Sequence, residues 1–155
     1  MPITVRRLTT ADLDVARTLR LTALKDAPTA FLSTYEGTVT RTDEEWRSWI
    51  EAVTVFAAFV DGKPAGMVGA VRDELEADVT ELISMWVAPE ARGARLAQRL
   101  TDAVVEHARS VGDRAVHLEV VWGNDAAEAA YLRYGFAHIP ARKAGQRDRS
   151  MWLGL

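Results

Sequence analysis

The sequence predicts an α+β domain built around a mixed sheet. Three observations carry that reading. Two apolar runs at 54–60 and 64–73 flank Asp61-Gly62, a dipeptide that favours the tight turn of an antiparallel hairpin. A third apolar run ends at Val87 and passes through Pro89 and Gly93 into a long amphipathic stretch, so a strand, a turn and a helix follow one another there. A strand at 114–121 and a helix at 125–134 repeat that order without an intervening hairpin.

In chain order, residues 3–8 open with β-branched Ile3 and Val5 on one face and read as the first strand. Thr10 resembles an N-cap, Asp12 sits in the first turn, and apolar residues at helical spacing predict a helix over 11–25, which Pro28 stops. A loop follows to Arg41, with Phe31 and Tyr35 as its aromatic plugs. Asp43-Glu44-Glu45 ahead of Trp46, Trp49, Ile50 and Val53 gives a helix over 42–52, its acids at the positive end of the helix dipole. Beyond the hairpin, the acidic tip 72–78 leads into a strand at 79–87. The next helix spans 92–111, with Leu96, Leu100, Val104, Ala108 and Val111 as its buried stripe. Strands at 136–142 and 148–153 close the chain around the basic turn 142–147. The sum is about seven strands and about four helices.

A chain of 155 residues suits one domain, 1–155, with a single core. The net charge of −3 leaves no global basic field, so nucleic acid is not an expected partner. The absence of cysteine excludes disulfides, thiolate zinc sites and a cysteine acyl-enzyme. His107, His117 and His138 fall on three different elements without metal-ligand spacing, so no metal is expected. No secretory leader or membrane-spanning run is evident, and a cytoplasmic location is expected.

The junction from Val87 to Ala97 is the most informative stretch. A helix N-terminus leaves backbone N–H groups without intrahelical partners and attracts an anion. Gly93 permits close backbone approach, Ala97 is small, and Arg92, Arg95 and Arg99 recur at spacings of three and four. A polyphosphate ligand fits this pattern. The Gly-Lys-Ser/Thr of nucleoside-triphosphate loops and the three glycines of dinucleotide folds are both absent.

Val87, Pro89, Arg92, Gly93, Leu96 and Ala97 fall in register on V-x-P-x-x-R-G-x-G-[ILV]-[GA]. Leu118-Glu119-Val120, then Asn124, Ala127, Tyr131, Gly135 and Phe136, fall on L-E-V and N-x-x-A-x-x-x-Y-x-x-x-G-F. Two ordered motifs at these spacings resemble the GNAT superfamily of acyl-CoA N-acyltransferases. The resemblance implies a GNAT-type, strongly twisted sheet of about seven strands with a splay between the fourth and fifth, into which pantetheine enters. It implies acetyl-CoA as co-substrate, cradled by Arg92, Gly93, Ala94, Arg95, Leu96 and Ala97, with the backbone of Met85, Trp86 and Val87 pairing with pantetheine while their side chains are nearly free to vary. Asn124 and Ala127 would line the same ligand, and relatives often form homodimers.

Arg95 stands where the family has its second glycine, and is expected to keep ordinary helical backbone angles. Tyr131 is the candidate acid for the departing thiolate. Glu119 and then Glu81 are the candidate bases, with structural carboxylates as the competing role for both. Phe31 and Tyr35 fall in the loop that borders the acceptor site in relatives. The function implied is transfer of an acetyl group from acetyl-CoA to a primary amine of a small molecule, peptide or protein. The alternative is a non-catalytic acyl-CoA-binding or sensor module.

Overall fold

The computed structural model describes residues 2–31, 33–93 and 95–155. Its strands are β1 (Ile3–Arg7), β2 (Thr54–Val60), β3 (Lys63–Arg72), β4 (Val79–Val87), β5 (Ala115–Val120), β6 (Ala137–Ile139) and β7 (Arg149–Gly154). The α-helices among the described residues are α1 (Leu13–Asp26), α2 (Tyr35–Val39), α3 (Asp43–Ala52), α4 (Leu96–Ser110) and α5 (Asp125–Tyr134), in keeping with the expected count of about four, the short α2 lying where a loop is expected. All seven strands form one sheet in the order β1-β2-β3-β4-β5-β7-β6. Every neighbouring pair is antiparallel except β4 and β5, which run parallel. Among the described residues, no helix is long and apolar enough to cross a membrane.

Helix starts follow their side chains. Thr9, not Thr10, caps the first helical turn: its hydroxyl accepts from the N–H of Ala11, while Asp12 accepts from the N–H of Thr9 at 2.8 Å. Thr42 and Glu45 form the same reciprocal pair at α3. Alternation along the strands divides the core between the two sheet faces. On one, Leu96, Leu100, Val104 and Ala108 of α4 pack on Ala58, Val68, Val116 and Leu118. On the other, Leu19 and Ala23 of α1 and Ile50 of α3 cover Val55, Ala57, Met67 and Trp86. The stripe of α4 ends one turn early, because Val111 lies beyond the helix and is 48% exposed.

Two features shape β4. Its ladder with β3 shifts register between Met67 and Gly69, where β4 carries one extra residue, and Ser84 takes a left-handed φ of 58°. The strand also crosses β3 closely at Gly66, where a Cβ would stand 2.9 Å from the carbonyl oxygen of Trp86. Gly66→Ala is therefore expected to destabilise the fold by about 1–3 kcal/mol in urea unfolding, the range for an overpacked core position.

Candidate functional site

The site originates where β4 and β5 part. Their parallel ladder holds only Val79↔Ala115, Thr80↔Val116 and Glu81↔His117, after which β4 continues to Val87 along β3 and β5 continues to Val120 along β7, its partner on the opposite edge. Backbone groups of β4 beyond Glu81 consequently face a gap instead of a neighbouring strand. The bulge at Ser84 turns that edge further from regular pairing. The resulting cleft is lined by Ser84 and Met85 on one wall, Glu119 and Val121 on the other, and Asn124, Ala127 and Tyr131 of α5 across its end, with Phe31 also on its border. The expected donor-side residues Met85, Asn124, Ala127 and Tyr131 are thus brought together.

Tyr35 is not part of this group. It opens α2 and lines a separate surface hollow with Leu21, Thr22, Lys25 and Asp26, with the Lys25 ammonium 5.5 Å from its ring centre. Of the two aromatic residues expected near an acceptor, only Phe31 reaches the cleft.

Asn124 has both roles available to it. Its side-chain oxygen accepts from the N–H of Ala127 at 3.3 Å, capping α5, while the residue borders the cleft. Ala127 and Tyr131 follow one and two turns later on the same helix face. Tyr131 packs edge-on against Phe136, and burial pushes its phenol well above the ordinary tyrosine range, so the group stays protonated. Tyr134 nearby differs, since its hydroxyl donates to Asp102 at 2.6 Å.

Glu81 and Glu119 project from the sheet face that carries α1. Burial, reinforced by the charges of Glu119, Asp73 and Glu74, pushes the Glu81 carboxyl up to about 7. Burial also raises Glu119, and Lys143 opposes that shift. Beside them lies a cluster hidden from the sequence. Asp73 and His117 are buried, Arg142 grips both oxygens of Asp73 at 2.8 and 2.7 Å, and His117 Nδ1 lies 2.9 Å from the guanidinium. Burial alone would raise Asp73, but the Arg142 bonds and the N–H groups of Leu75 and Glu76 hold it well below the usual carboxylate range. Burial and the Arg142 charge lower His117, which stays neutral at pH 7. Asp73, Glu81 and His117 bring ligand-type atoms within 4.8 Å of one another, yet the cation among them is the guanidinium of Arg142. No metal-ligand spacing announces this cluster, because its members come from three distant segments. The one local signal is Asp73 at a strand end, where its carboxylate caps the turn through Leu75 and Glu76.

The phosphate-type loop differs from expectation in four respects. The helix begins at Leu96 rather than Arg92, after a short 3-10 turn at Pro89–Ala91. Arg95 is its N-cap with φ 61° and ψ 24°, a left-handed backbone instead of a helical one. The family glycine has been replaced without changing the turn it serves. Arg92 does not extend into open space: its Nε donates to the carbonyl of Val87 at 3.0 Å and its Nη2 to Asp26 at 2.9 Å. The side chain of Trp86 is not free to vary either, being buried with its indole N–H donating to the same Asp26 oxygen at 3.0 Å. Ala94 lies outside the described residues.

Main-chain groups are available for an anion here. The first-turn N–H groups of α4 at Leu96, Ala97 and Gln98 have no intrahelical partners. Gly93, at φ 91°, would point a Cβ at nothing within 4 Å, so its backbone is open to a ligand. Arg95→Gly is expected to raise unfolding stability by up to about 1 kcal/mol in thermal or urea melts, by relieving the left-handed conformation of a residue with a Cβ.

Comparison with known proteins matches this arrangement. The family model described as "Acetyltransferase (GNAT) family" matches residues 21–136. The N-acetyltransferase YjgM of Escherichia coli K12, itself uncharacterised, is 38% identical over 64 residues, a match spanning 41% of this chain and 38% of that protein. Similar solved structures include a GNAT acetyltransferase of Streptococcus pneumoniae, with 20% identity, TM-score 0.78 and coverage of 99% of this chain and 100% of that one. PaiA N-acetyltransferase of Thermoplasma acidophilum in complex with coenzyme A has 17% identity, TM-score 0.79 and complete coverage of both chains. YncA of Salmonella typhimurium with acetyl-CoA has 19% identity, TM-score 0.76 and coverage of 99% and 94%. At such identities the structures speak to the fold, which is shared in full. With the family model spanning most of its length, the chain belongs to the acetyltransferase (GNAT) family.

Proposed function

We propose that the protein transfers an acetyl group from acetyl-CoA to a primary amine by direct attack on the thioester. The observation that carries this reading is the cleft between β4 and β5, with Tyr131 at one end and two carboxylates of raised proton affinity beside it. Two structures of the same fold hold coenzyme A or acetyl-CoA. The unpartnered N–H groups at the start of α4 suit the pyrophosphate, and the open edge of β4 suits the amides of pantetheine. The donor supplies an activated acyl group, and the chain's own residues manage position and protons.

Backbone donors of the β4 edge near Met85 are placed to polarise a thioester carbonyl in the cleft. The acceptor approaches from the α1 side, where Glu81 and Glu119 lie. A lysine-like amine, with a reference pKa of about 10.4, must lose a proton before it attacks. Glu81, titrating near 7, is matched to take that proton at neutral pH, directly or through a water. Glu119 acts as its charged neighbour, raising that affinity. This places Glu81 ahead of Glu119, the reverse of the order suggested by motif position. Tyr131, kept protonated by its surroundings, is the donor for the departing sulfur, whose thiol has a pKa of about 8.5 on the cysteine scale.

Release of free thiol from acetyl-CoA over a panel of primary amines tests the reading, and binding of coenzyme A with no release by any amine would establish the non-catalytic module instead. Tyr131→Phe is expected to lower turnover by about 10²–10⁴-fold while leaving the melting temperature and coenzyme A affinity nearly unchanged. The pH profile of kcat/KM should rise with unit slope through about 7 as Glu81 loses its proton, and Glu81→Gln should abolish that limb. A limb that persists in Glu81→Gln would assign it to another group.

A further inference from the structure

Arg20 and Arg41 present a charge problem that the acyl-transfer site does not solve. Arg20 faces inward from α1 and is 7% exposed, and its Nη1 is buried without a hydrogen-bond partner. Arg41, in the turn between α2 and α3, also buries an unpartnered Nη1. Each guanidinium lies against an aromatic ring, Arg20 4.8 Å from the centre of Phe31 and Arg41 5.1 Å from the centre of Trp46. No carboxylate of the described residues lies within ion-pair distance of either group. Burial, and then the charge of Arg41, lower Arg20 to about 10, so Arg20 remains cationic at neutral pH.

Ring faces attract guanidinium groups, but they accept no in-plane N–H and cancel no charge. Two guanidiniums with buried, unpartnered nitrogens and no acid beside either call for a counter-ion from outside the chain. Phe31 joins this place to the cleft, because the same residue that covers Arg20 also borders the space beside Met85 and Glu119. One side chain therefore separates Arg20 from the cleft that Glu119 lines.

We propose that Arg20 and Arg41 form an anion site that takes the carboxylate of the acceptor, so that the amine substrate is an amino acid or a comparably short amino-carboxylic acid. The acceptor part of this assignment rests on the acetyl-transfer reading above, while the anion site does not. The zwitterion fits the charges as they stand: ammonium towards the two glutamates, carboxylate towards the two guanidiniums, with Phe31 turning aside to admit it. Planar, forked donors suit a carboxylate bidentately, which explains arginine rather than lysine at both positions.

Two measurements test it. In the first, a panel of free amino acids is compared with their carboxamides and their decarboxylated amines as acceptors. The free acids should show the higher kcat/KM, and Arg20→Met or Arg41→Met should cut that advantage by about 10–100-fold, mainly through KM. The second needs no turnover: sulfate and succinate, added in chloride-free buffer, should raise the melting temperature of the wild type and not that of Arg20→Met. Because Arg20 lacks an acid, Arg20→Met should fold at least as stably as the wild type without added anion. Equal use of acids and carboxamides alongside an Arg20-dependent sulfate shift would overturn the acceptor assignment and leave a separate anion site. Absence of any anion-dependent shift would overturn the site itself. Thiol release with no amine at all would count against the acetyl-transfer reading, with the melting data still deciding the anion site.

Discussion

The site depends on where two parallel strands cease to be paired. β4 and β5 share three register positions, ending at Glu81↔His117, beyond which each keeps only its outer partner, β3 for β4 and β7 for β5. A buried strand edge left unpaired is costly, so a gap of this kind persists only when the surrounding structure holds both sides open. On the β4 side the bulge at Ser84 and the anchoring of Trp86 to Asp26 set the strand's course. On the other side α5 packs Tyr131 and Ala127 against the core and keeps the space from closing.

Asp26 illustrates how the parts are tied together. One carboxylate oxygen at the end of α1 accepts from the indole of Trp86 in β4 and from Arg92 in the phosphate-type loop. Asp26 lies 60 and 66 residues before its two donors, so any displacement of α1 is felt by both the strand and the loop that follows it. Burial would raise this acid, but the hydrogen bonds, that of Trp86 foremost and Arg92 next, lower it, so it remains ionised and able to hold both donors.

Most of the fold was legible from local pattern. Seven strands and the four longer helices fall where periodicity places them, α5 to the residue, and α2 escaped because five residues cannot show a helical stripe. Asn124, Ala127 and Tyr131 could be placed on the cleft because they lie on one continuous motif, and Met85 because it stands two residues before the start of the other. The bonding of the Arg92 and Trp86 side chains could not be read for the opposite reason: a single carboxylate distant in sequence, Asp26, accepts from both. The Asp73–His117–Arg142 cluster was equally invisible, since the fold alone brings those segments together, and no local pattern marks Arg20 or Arg41 as burying an unpartnered nitrogen. Arg95 shows a further limit. A motif can report the backbone conformation required at a position even where the residue is not the one that adopts it most readily.

The open edge of β4 has an evolutionary consequence. Its hydrogen-bonding groups belong to the main chain, which substitution does not remove, so the sequence around it is at liberty to drift. Chains sharing only 17–20% of their residues with this one superimpose over its whole length. A recognition surface made of peptide groups is inherited with the topology, whereas one made of side chains must be conserved position by position. On the acyl-transfer reading proposed above, that edge serves the donor whatever side chains flank it, while the helices on the α1 face are free to change with the acceptor.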